Sequence, residues 1–315
     1  MVTDCIVPMR GRQKLSIARL GGSPEDVLNI INKVNVKWQS EHSPEVHAFW
    51  DVAVYQTGDM AAYAVTGNEN FRRYAERWAE HNQWMGARSG DKRDWKHGYG
   101  ESDDHVLFGD WQVCFQTYID LYELEKRETK IARAREVMEY EMSTPENDYW
   151  WWADGLYMVM PVMAKLYKVT GNRQYLYKLY EYFAYACSIM YDPAEGLYYR
   201  DARYVYPKHT TINGKKDFWA RGDGWVLAAL VRTLRDLPAT DEHYQEYVQR
   251  FKDIAAAVKG YQQPQGYWTR SMGDPEYGER AIPGQVVDRR SNTNFGVGVF
   301  LLAASEVYLY MRDKK

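Results

Sequence analysis

The sequence contains few cysteines: Cys5, Cys114 and Cys187 are the three in 315 residues. They are far apart, odd in number and form no Cys-x-x-Cys pair, which excludes a disulfide framework and a cysteine zinc site. The seven histidines show no metal-ligand spacing, and the chain has neither a phosphate-binding glycine loop nor a nucleophile elbow. We therefore expect no metal, no cofactor and no serine-hydrolase chemistry.

Long apolar runs and concentrated positive charge are also missing. The net charge is −3 with lysine and arginine spread along the chain, so neither nucleic acid nor a membrane is an expected partner. No run of 18 apolar residues and no signal-like amino terminus is evident, which favours a soluble chain, cytoplasmic as given or periplasmic if a signal peptide was removed. No linker-like stretch interrupts residues 1–315, so we expect one domain, as a monomer or weak homo-oligomer.

Aromatic residues are abundant. There are 27 Tyr and 12 Trp, and with Phe they make up 15% of the chain. Tyr and Trp join a large apolar face to a polar tip, which suits surfaces that stack on sugar rings and bond their hydroxyl groups. An aromatic-rich core is the alternative for any single ring.

Helical spacing of apolar residues dominates the chain and predicts an all-α fold with small β excursions in loops. We expect helices at residues 25–41, 50–66, 69–85, 104–124, 127–142, 153–169, 173–190, 222–236, 241–262 and 293–312. An echo between Ala62-Tyr-Ala-Val-Thr-Gly-Asn68 and Leu166-Tyr-Lys-Val-Thr-Gly-Asn172 predicts a left-handed glycine that ends one helix directly before the next. Short turns of this kind make antiparallel hairpins, which we expect to close as a toroid rather than an open solenoid.

Three expected inner helices begin in segments that combine acids with aromatic residues. These segments are Gly98-Tyr-Gly-Glu-Ser-Asp-Asp-His105, Tyr149-Trp-Trp-Trp-Ala-Asp-Gly-Leu-Tyr-Met158 and Phe218-Trp-Ala-Arg-Gly-Asp-Gly-Trp225. In a helical toroid such ends converge at one mouth, although an Asp at a helix start is also an ordinary cap. Asp154 differs, because the tryptophans before it and the apolar residues after it would remove water from its carboxylate. Desolvation raises a carboxyl pKa and prepares a general acid.

The other candidate residues have open roles. Of Asp103 and Asp104, one could act as a second carboxylate or orient a hydroxyl group while its neighbour caps the helix. Arg221 and Trp225 are four residues apart and could offer an anion clamp beside a stacking ring, or a structural ion pair beside a core Trp. His105 could lie near the site or simply at the surface.

These motifs together resemble the unsaturated uronyl hydrolases of glycoside hydrolase families 88 and 105. The similarity runs from about Trp50 to Tyr308, with its strongest stretches at Asp103-Asp-His105, Trp150-Trp-Trp-Ala-Asp-Gly-Leu-Tyr-Met-Val-Met-Pro161, Tyr199-Arg-Asp-Ala-Arg-Tyr204 and Phe218-Trp-Ala-Arg-Gly-Asp-Gly-Trp225. The resemblance implies an (α/α)6 barrel and an enzyme that removes a 4,5-unsaturated uronic acid from oligosaccharides left by polysaccharide lyases.

The resemblance also implies roles for single residues. Asp154 would protonate C4 of the enol ether before water adds at C5, with Asp104 assisting, and Arg221 and Trp225 would contact the uronate. This is hydration of a double bond, so the usual spacing of two glycosidase carboxylates need not apply. The remaining expected substrate-binding residues lie in the same motifs: Asp103, His105, Trp151, Trp152 and Arg200.

The chain departs from the family pattern at two places. Arg200 stands where many members carry a histidine, so recognition of the sugar is expected to differ. After Gln262-Gln-Pro-Gln-Gly-Tyr-Trp268 the family usually has a further helical hairpin, and we expect it to be missing near residues 273–290, since ten helices stand where six hairpins need twelve. Either the sequence omits a segment or the ring is truncated, and a truncated ring would put activity in question. The alternatives are another toroid glycosidase or polysaccharide lyase, and a glycan-binding relative without turnover.

Overall fold

The computed structural model describes residues 22–278 and 293–313. Helices dominate these residues, as the sequence predicts, and the only paired strands among them form a two-stranded ribbon. The described residues separate into two compact units, each assembled from distant stretches of chain. Unit 1 consists of residues 22–88, 113–133 and 293–313, and unit 2 of residues 89–112 and 134–278.

The helix boundaries lie close to those expected from the apolar spacing. In chain order the helices are α1 (Pro24–Glu41), α2 (Trp50–Thr66), α3 (Glu69–His81), α4 (Cys114–Leu124), α5 (Ala132–Ser143), α6 (Ala153–Thr170), α7 (Gln174–Met190), α8 (Ala220–Asp236), α9 (Tyr244–Gly260), α10 (Pro275–Gly278) and α11 (Asn294–Arg312). The strands β1 (Tyr191–Asp192) and β2 (Leu197–Tyr198) pair antiparallel.

Two expected helix starts are wrong. The helix expected from residue 127 begins only at Ala132, after a 3-10 turn at Glu128–Lys130, and the larger difference lies at residue 104. Residues 104–113 form bends and a 3-10 turn at Gly109–Trp111, and α4 begins only at Cys114. Apolar residues are frequent in this stretch because it is buried, and burial does not require helical geometry. Asp104 therefore lies in a loop.

The repeated Thr-Gly-Asn sequence forms the predicted helical hairpins. Gly67 and Gly171 end α2 and α6 in the left-handed conformation, with φ of 66° and 72°. In both turns the Thr hydroxyl donates to a carbonyl one helical turn earlier, and the Asn side chain accepts from a backbone N–H at the start of the next helix. The same chemistry thus joins α2 to α3 in unit 1 and α6 to α7 in unit 2.

Unit 1 is built on the packing of α2 against α11. A Cβ atom added to Gly58 would lie 2.2 Å from the carbonyl oxygen of Gly298, so the two backbones meet where neither residue has a side chain. Around this crossing lies an apolar cluster from α1, α2, α3 and α11, with the members Ile31, Trp38, Tyr55, Ala62, Phe71 and Leu301.

The length and mean hydropathy of 1.3 of α11 are those of a membrane-spanning helix, a property that the sequence analysis did not identify. Its Gly298, Leu301 and Ser305 are nevertheless buried within the protein. Of its apolar window, 17% is buried within the described residues.

Unit 2 contains α6 packed against both α7 and α8, with α9 packed against α8. The β ribbon follows α7, and Asp223 of α8 holds it in place by accepting a hydrogen bond from the Tyr198 N–H at 2.8 Å. The segment that follows the ribbon is thereby fixed beside the start of α6.

The expectation of a missing hairpin near residues 273–290 falls mainly outside the described residues, because 279–292 are not among them. In the described parts of the chain, ten α-helices have eleven residues or more.

The crossing of α2 and α11 gives a stability prediction. A Cβ on residue 298 would lie 2.6 Å from the Val54 carbonyl oxygen, so Gly298→Ala should lower the free energy of unfolding by about 1–3 kcal/mol. Denaturant unfolding measures this. Gly224→Ala is the matched control, since its Cβ meets no atom within 4 Å and alanine favours a helix by up to about 1 kcal/mol. Equal stability of the two variants would show that the backbones are not in close contact.

Candidate active site

The start of α6 is held by a second segment of unit 2. Trp152 is the N-cap of α6 and makes no side-chain cap bond. Instead, Trp152 and Asp201 form an antiparallel bridge, and the Ala153 N–H donates to the Arg200 carbonyl at 2.9 Å. The backbone of Arg200 therefore lies beside the first turn of α6, where Asp154 is located.

The ring of Trp152 brings a third segment to the same place. A Cβ on Gly155 would lie 3.0 Å from this ring, and a Cβ on Gly109 would lie 3.1 Å from it. The ring also stacks on Phe108, with centroids 4.8 Å apart. Two glycines thus let the indole lie between α6 and the 3-10 turn, so the residue after Gly109 is placed near the start of the helix.

Asp154 is largely removed from water. Its Oδ1 atom is buried and has no hydrogen-bond partner among the described residues. Burial raises the pKa of this carboxyl to about 6, against the opposing effects of the positive charges on Arg221 and Arg200. The direction is the one that the apolar sequence around Asp154 predicts.

Asp110 is a second acid at this site, and sequence reasoning missed it. Its side chain is 8% exposed. Burial, with the negative charge of Asp154 as the next cause, raises its pKa to about 8, while Arg221 lowers it. The charge of Asp154 opposes ionisation of Asp110, so between about pH 6 and about pH 8 the pair holds one proton, mainly on Asp110. The available signal was a lone acid within the apolar stretch Val106–Val113, which we had interpreted as helix interior.

Asp104 lies outside this pair. Its carboxylate forms an ion pair with Lys96 and accepts a hydrogen bond from the Ser102 hydroxyl at 2.6 Å. His105 Nδ1 lies 3.0 Å from the same carboxylate. The bonds to Lys96 and Ser102 lower the pKa of Asp104, so it stays ionised. The expected role of Asp104 as the assisting acid stays a prediction.

Asp103 and His105 help to shape the loop that carries Asp104. The backbone carbonyl of Asp103 accepts the Ser89 N–H at 3.0 Å. A Cβ on Gly100 would lie 2.1 Å from the imidazole of His105, so this loop is closely packed. Asp103 itself is exposed. The described contacts give these residues a role in loop structure, and their expected contact with substrate stays a prediction.

Arg221 lies in the first turn of α8, and its positive charge interacts with the charges of Asp154 and Asp110. Burial and the neighbouring charges of Arg200 and Arg270 lower the pKa of its guanidinium, while Asp154 and Asp110 raise it. Its Cζ lies 4.2 Å from the ring centroid of Trp219.

The aromatic ring that lies against the Arg221 guanidinium is Trp219, while Trp225 has the buried position of the core Trp that the sequence left open as the alternative. Trp225 is 4% exposed and packs on Tyr157 between α6 and α8, with centroids 4.7 Å apart. Its Nε1 has no hydrogen-bond partner among the described residues. We had related Arg221 to the ring one turn later and overlooked the tryptophan two residues before it.

Arg200 and Trp151 lie at the rim of the site. The guanidinium of Arg200 donates to the Tyr204 hydroxyl at 3.0 Å. Trp151 donates from Nε1 to the His97 carbonyl at 3.2 Å, and the guanidinium of Arg203 lies 5.7 Å from its ring centroid. The structure thus brings Asp154, Arg221 and Arg200 together as the sequence suggests, and adds Asp110 to them.

This arrangement can both bind an anion and transfer a proton. Arg221 and Arg200 can neutralise a carboxylate, and the acid pair holds a transferable proton near neutral pH. Within residues 22–278 and 293–313, no group of three His, Cys, Asp or Glu side chains is arranged to hold a metal ion.

Comparison with known proteins places the chain among carbohydrate-active proteins. The family model described as Glycosyl Hydrolase Family 88 matches residues 26–282. The chain is 37% identical over 132 residues to the unsaturated 3S-rhamnoglycuronyl hydrolase of Formosa agariphila, a match that covers 40% of this chain and 35% of that protein. The chain thus spans about a third of the length of this curated relative.

Two solved structures are similar over nearly all of this chain. One is a glycosyl hydrolase family 88 protein from Bacteroides vulgatus, with 48% identity, a TM-score of 0.88, and coverage of 92% of this chain and 100% of that one. The other is named as a polysaccharide lyase, with 52% identity, a TM-score of 0.89, and coverage of 92% and 99%. The fold is therefore the (α/α)6-type helical fold of these proteins.

The acid pair gives a prediction that needs no substrate. In Asp154→Asn the pKa of Asp110 should fall below its value of about 8, because the negative charge that opposes its ionisation is gone. Carboxyl carbon chemical shifts followed against pH measure this. Asp104→Asn is the control and should leave the Asp110 titration in place. If Asp104→Asn shifted Asp110 more than Asp154→Asn did, the pairing described here would be incorrect.

Proposed function

Since the chain belongs to glycosyl hydrolase family 88, we propose that it removes a 4,5-unsaturated uronic acid from the non-reducing end of an oligosaccharide. The bond would be cleaved by adding water across the C4=C5 double bond of the uronate. The observation that carries this proposal is the pair of buried acids facing Arg221. A relative named for an unsaturated rhamnoglycuronyl substrate supports the same class of reaction.

The arginines provide the binding step. Arg221 would bind the uronate carboxylate at C5 through its planar guanidinium, with the ring of Trp219 behind it. Arg200 would add a second positive charge from the segment that pairs with the start of α6. Since both arginines act on Asp154, a carboxylate held between them would place the neighbouring C4 within reach of this acid.

Asp154 would then act first as acid and afterwards as base. In the protonated form that Asp154 takes below its pKa of about 6, its Oδ1, which has no partner among the described residues, would deliver a proton to C4. The positive charge that develops at C5 would be shared with the ring oxygen. Water would add to C5 and return a proton to the Asp154 carboxylate. The hemiketal at C5 would open to a ketone, and the freed C1 would release the rest of the saccharide.

Asp110 would support both steps. Its pKa of about 8 keeps it protonated at neutral pH, so it can donate a hydrogen bond without adding negative charge. A neutral partner also limits the repulsion that Asp154 meets when it becomes a carboxylate. The role is the one that we had expected of Asp104.

A polysaccharide lyase is the alternative, and the 52% identical structure of that name favours it. A hydrolase of the proposed kind consumes a conjugated double bond, whereas a lyase creates one. Ultraviolet absorbance should therefore fall when unsaturated uronides from pectin, glycosaminoglycan, ulvan or arabinogalactan are supplied. A rise in absorbance on saturated uronate-containing glycans, without a fall on the unsaturated ones, would replace the proposal by the lyase.

The acid assignment predicts a large loss of turnover in Asp154→Asn. The amide keeps the size of the side chain and removes the transferable proton, so kcat should fall about 100-fold or more while substrate binding largely survives. Asp110→Asn should also lower kcat, and Asp104→Asn should lower it least, since its carboxylate is engaged by Lys96. Near-normal turnover by Asp154→Asn on every cleaved uronide would remove Asp154 from the role of acid.

The carboxylate assignment predicts weaker binding in Arg221→Ala. Loss of a charge-assisted bidentate partner should raise KM by about 10- to 100-fold. Arg135→Ala, a substitution of an exposed arginine on α5 that pairs with Glu139, should leave KM unchanged. Steady-state kinetics on one unsaturated disaccharide compares the two variants. A KM for Arg221→Ala equal to that of the control would mean that the uronate is held elsewhere.

A further inference from the structure

The starts of α6 and α8 are built in the same way. The sequence Trp152-Ala-Asp-Gly155 at α6 has the counterpart Trp219-Ala-Arg-Gly222 at α8. In each case the Trp is the N-cap without a side-chain cap bond, and the Gly lies against the Trp ring, where an added Cβ would be 3.0 Å from the indole. Asp154 and Arg221 thus occupy equivalent positions in two copies of one local structure.

Each copy is completed by a strand-like segment that carries an arginine. Trp152 bridges to Asp201, and Trp219 bridges to Ser271 in the same antiparallel manner. The Ala153 N–H donates to the Arg200 carbonyl at 2.9 Å, and the Ala220 N–H donates to the Arg270 carbonyl at 2.9 Å. Arg270 therefore has the position beside Arg221 that Arg200 has beside Asp154.

The segment around Arg270 is firmly held. The Met272 N–H donates to the Phe218 carbonyl at 2.8 Å. The carboxylate of the fully buried Asp274 accepts from the Thr211 hydroxyl at 2.5 Å and from the Asn213 amide at 2.9 Å. These bonds fix the backbone just after residue 270, so the guanidinium extends from a defined point.

The positive charge of Arg270 interacts with Arg221, which in turn interacts with Arg200 and Asp154. The side chain is 47% exposed, and its Nη1 lies 4.0 Å from an oxygen of Asp217. Its positive charge acts on Arg221, while those of Arg221 and Arg200 act on Asp154. Like charges at this separation repel, and a ligand that brings negative charge between them relieves the repulsion.

We propose that Arg270 is a specificity residue that binds a second anionic group, a carboxylate or a sulfate, on the sugar linked to the unsaturated uronate. A planar guanidinium suits either group through two parallel hydrogen bonds. Arg221 would hold the uronate itself, and Arg270 lies on the segment that pairs with the start of α8, where its charge acts on Arg221. The proposal rests on the proposed function for the identity of the first sugar, and its binding test is independent of turnover.

The experiment compares Arg270→Ala and Arg270→Lys with the control Arg235→Ala. Arg235 is an exposed arginine in the last turn of α8. Three unsaturated disaccharides are used, whose second sugar is neutral, sulfated or a uronate. KM and kcat are measured for each, and calorimetry measures binding of the same disaccharides to the Asp154→Asn forms. Truncation of Arg270 leaves its carbonyl bond to Ala220 in place, so the start of α8 is preserved.

Arg270→Ala is expected to raise KM, and to weaken binding, by about 10- to 100-fold for the sulfated or the uronate disaccharide. For the neutral one both should stay within about twofold, as they should for Arg235→Ala on all three. Arg270→Lys should recover part of the lost affinity, because lysine keeps the positive charge but lacks the two parallel N–H donors of the guanidinium. Whichever disaccharide loses more affinity in Arg270→Ala, the sulfated or the uronate one, identifies the anionic group that Arg270 binds.

An equal loss on all three disaccharides would overturn the proposal in favour of a structural role, and no loss on any of them would overturn it outright. If no disaccharide is turned over but the dianionic ones bind in an Arg270-dependent way, the proposed function fails while the assignment of Arg270 stands.

Discussion

The position of the acids depends on one packing interaction, the indole of Trp152 lying between Gly109 and Gly155. Both glycines are within about van der Waals contact of the ring, with Cβ positions 3.1 and 3.0 Å from it. A Cβ at either residue would be closer to the ring than an ordinary contact, so the ring or the backbone would have to shift by a few tenths of an ångström. The positions of the 3-10 turn and of Asp110 beside α6 therefore depend on the packing of this aromatic residue.

That packing also sets the chemistry of the pair. Burial alone would hold both carboxyl groups neutral, and Arg221 and Arg200 oppose this at Asp154. At Asp110 only Arg221 lowers the pKa, and the negative charge of Asp154 raises it, so the pKa of Asp110 is the higher of the two. The site thus separates two chemically identical groups into one that ionises near pH 6 and one that stays protonated to about pH 8. Separation of this kind is what allows acid and base work at one pH.

The helices were predictable from the sequence because their signals are local. Apolar spacing located α6, α7 and α8, and the Thr-Gly-Asn turns were located because a left-handed glycine and an Asn cap leave a clear pattern. Asp154 was likewise identified from its apolar neighbours. Function-relevant details that depend on distant contacts were not: the sequence does not show that Lys96 engages Asp104 or that Trp152 brings Asp110 to α6. The loop at residues 104–113 was misinterpreted because burial, rather than helicity, explains its apolar residues.

The proposed hydrolysis and the alternative lyase reaction share a physical basis. Neutralising a uronate carboxylate makes the C5 proton more acidic, which favours elimination, and it also allows an unsaturated uronate to be held beside an acid, which favours hydration. A pair that holds one proton near neutral pH contains an acid and a base at once. Which of the two proposed reactions takes place would depend on which sugar the surrounding arginines accept, and on whether water has access to C5. The duplicated arrangement at α6 and α8 lets these requirements vary separately, since Arg200 belongs to the segment beside the acids and Arg270 to the segment beside Arg221.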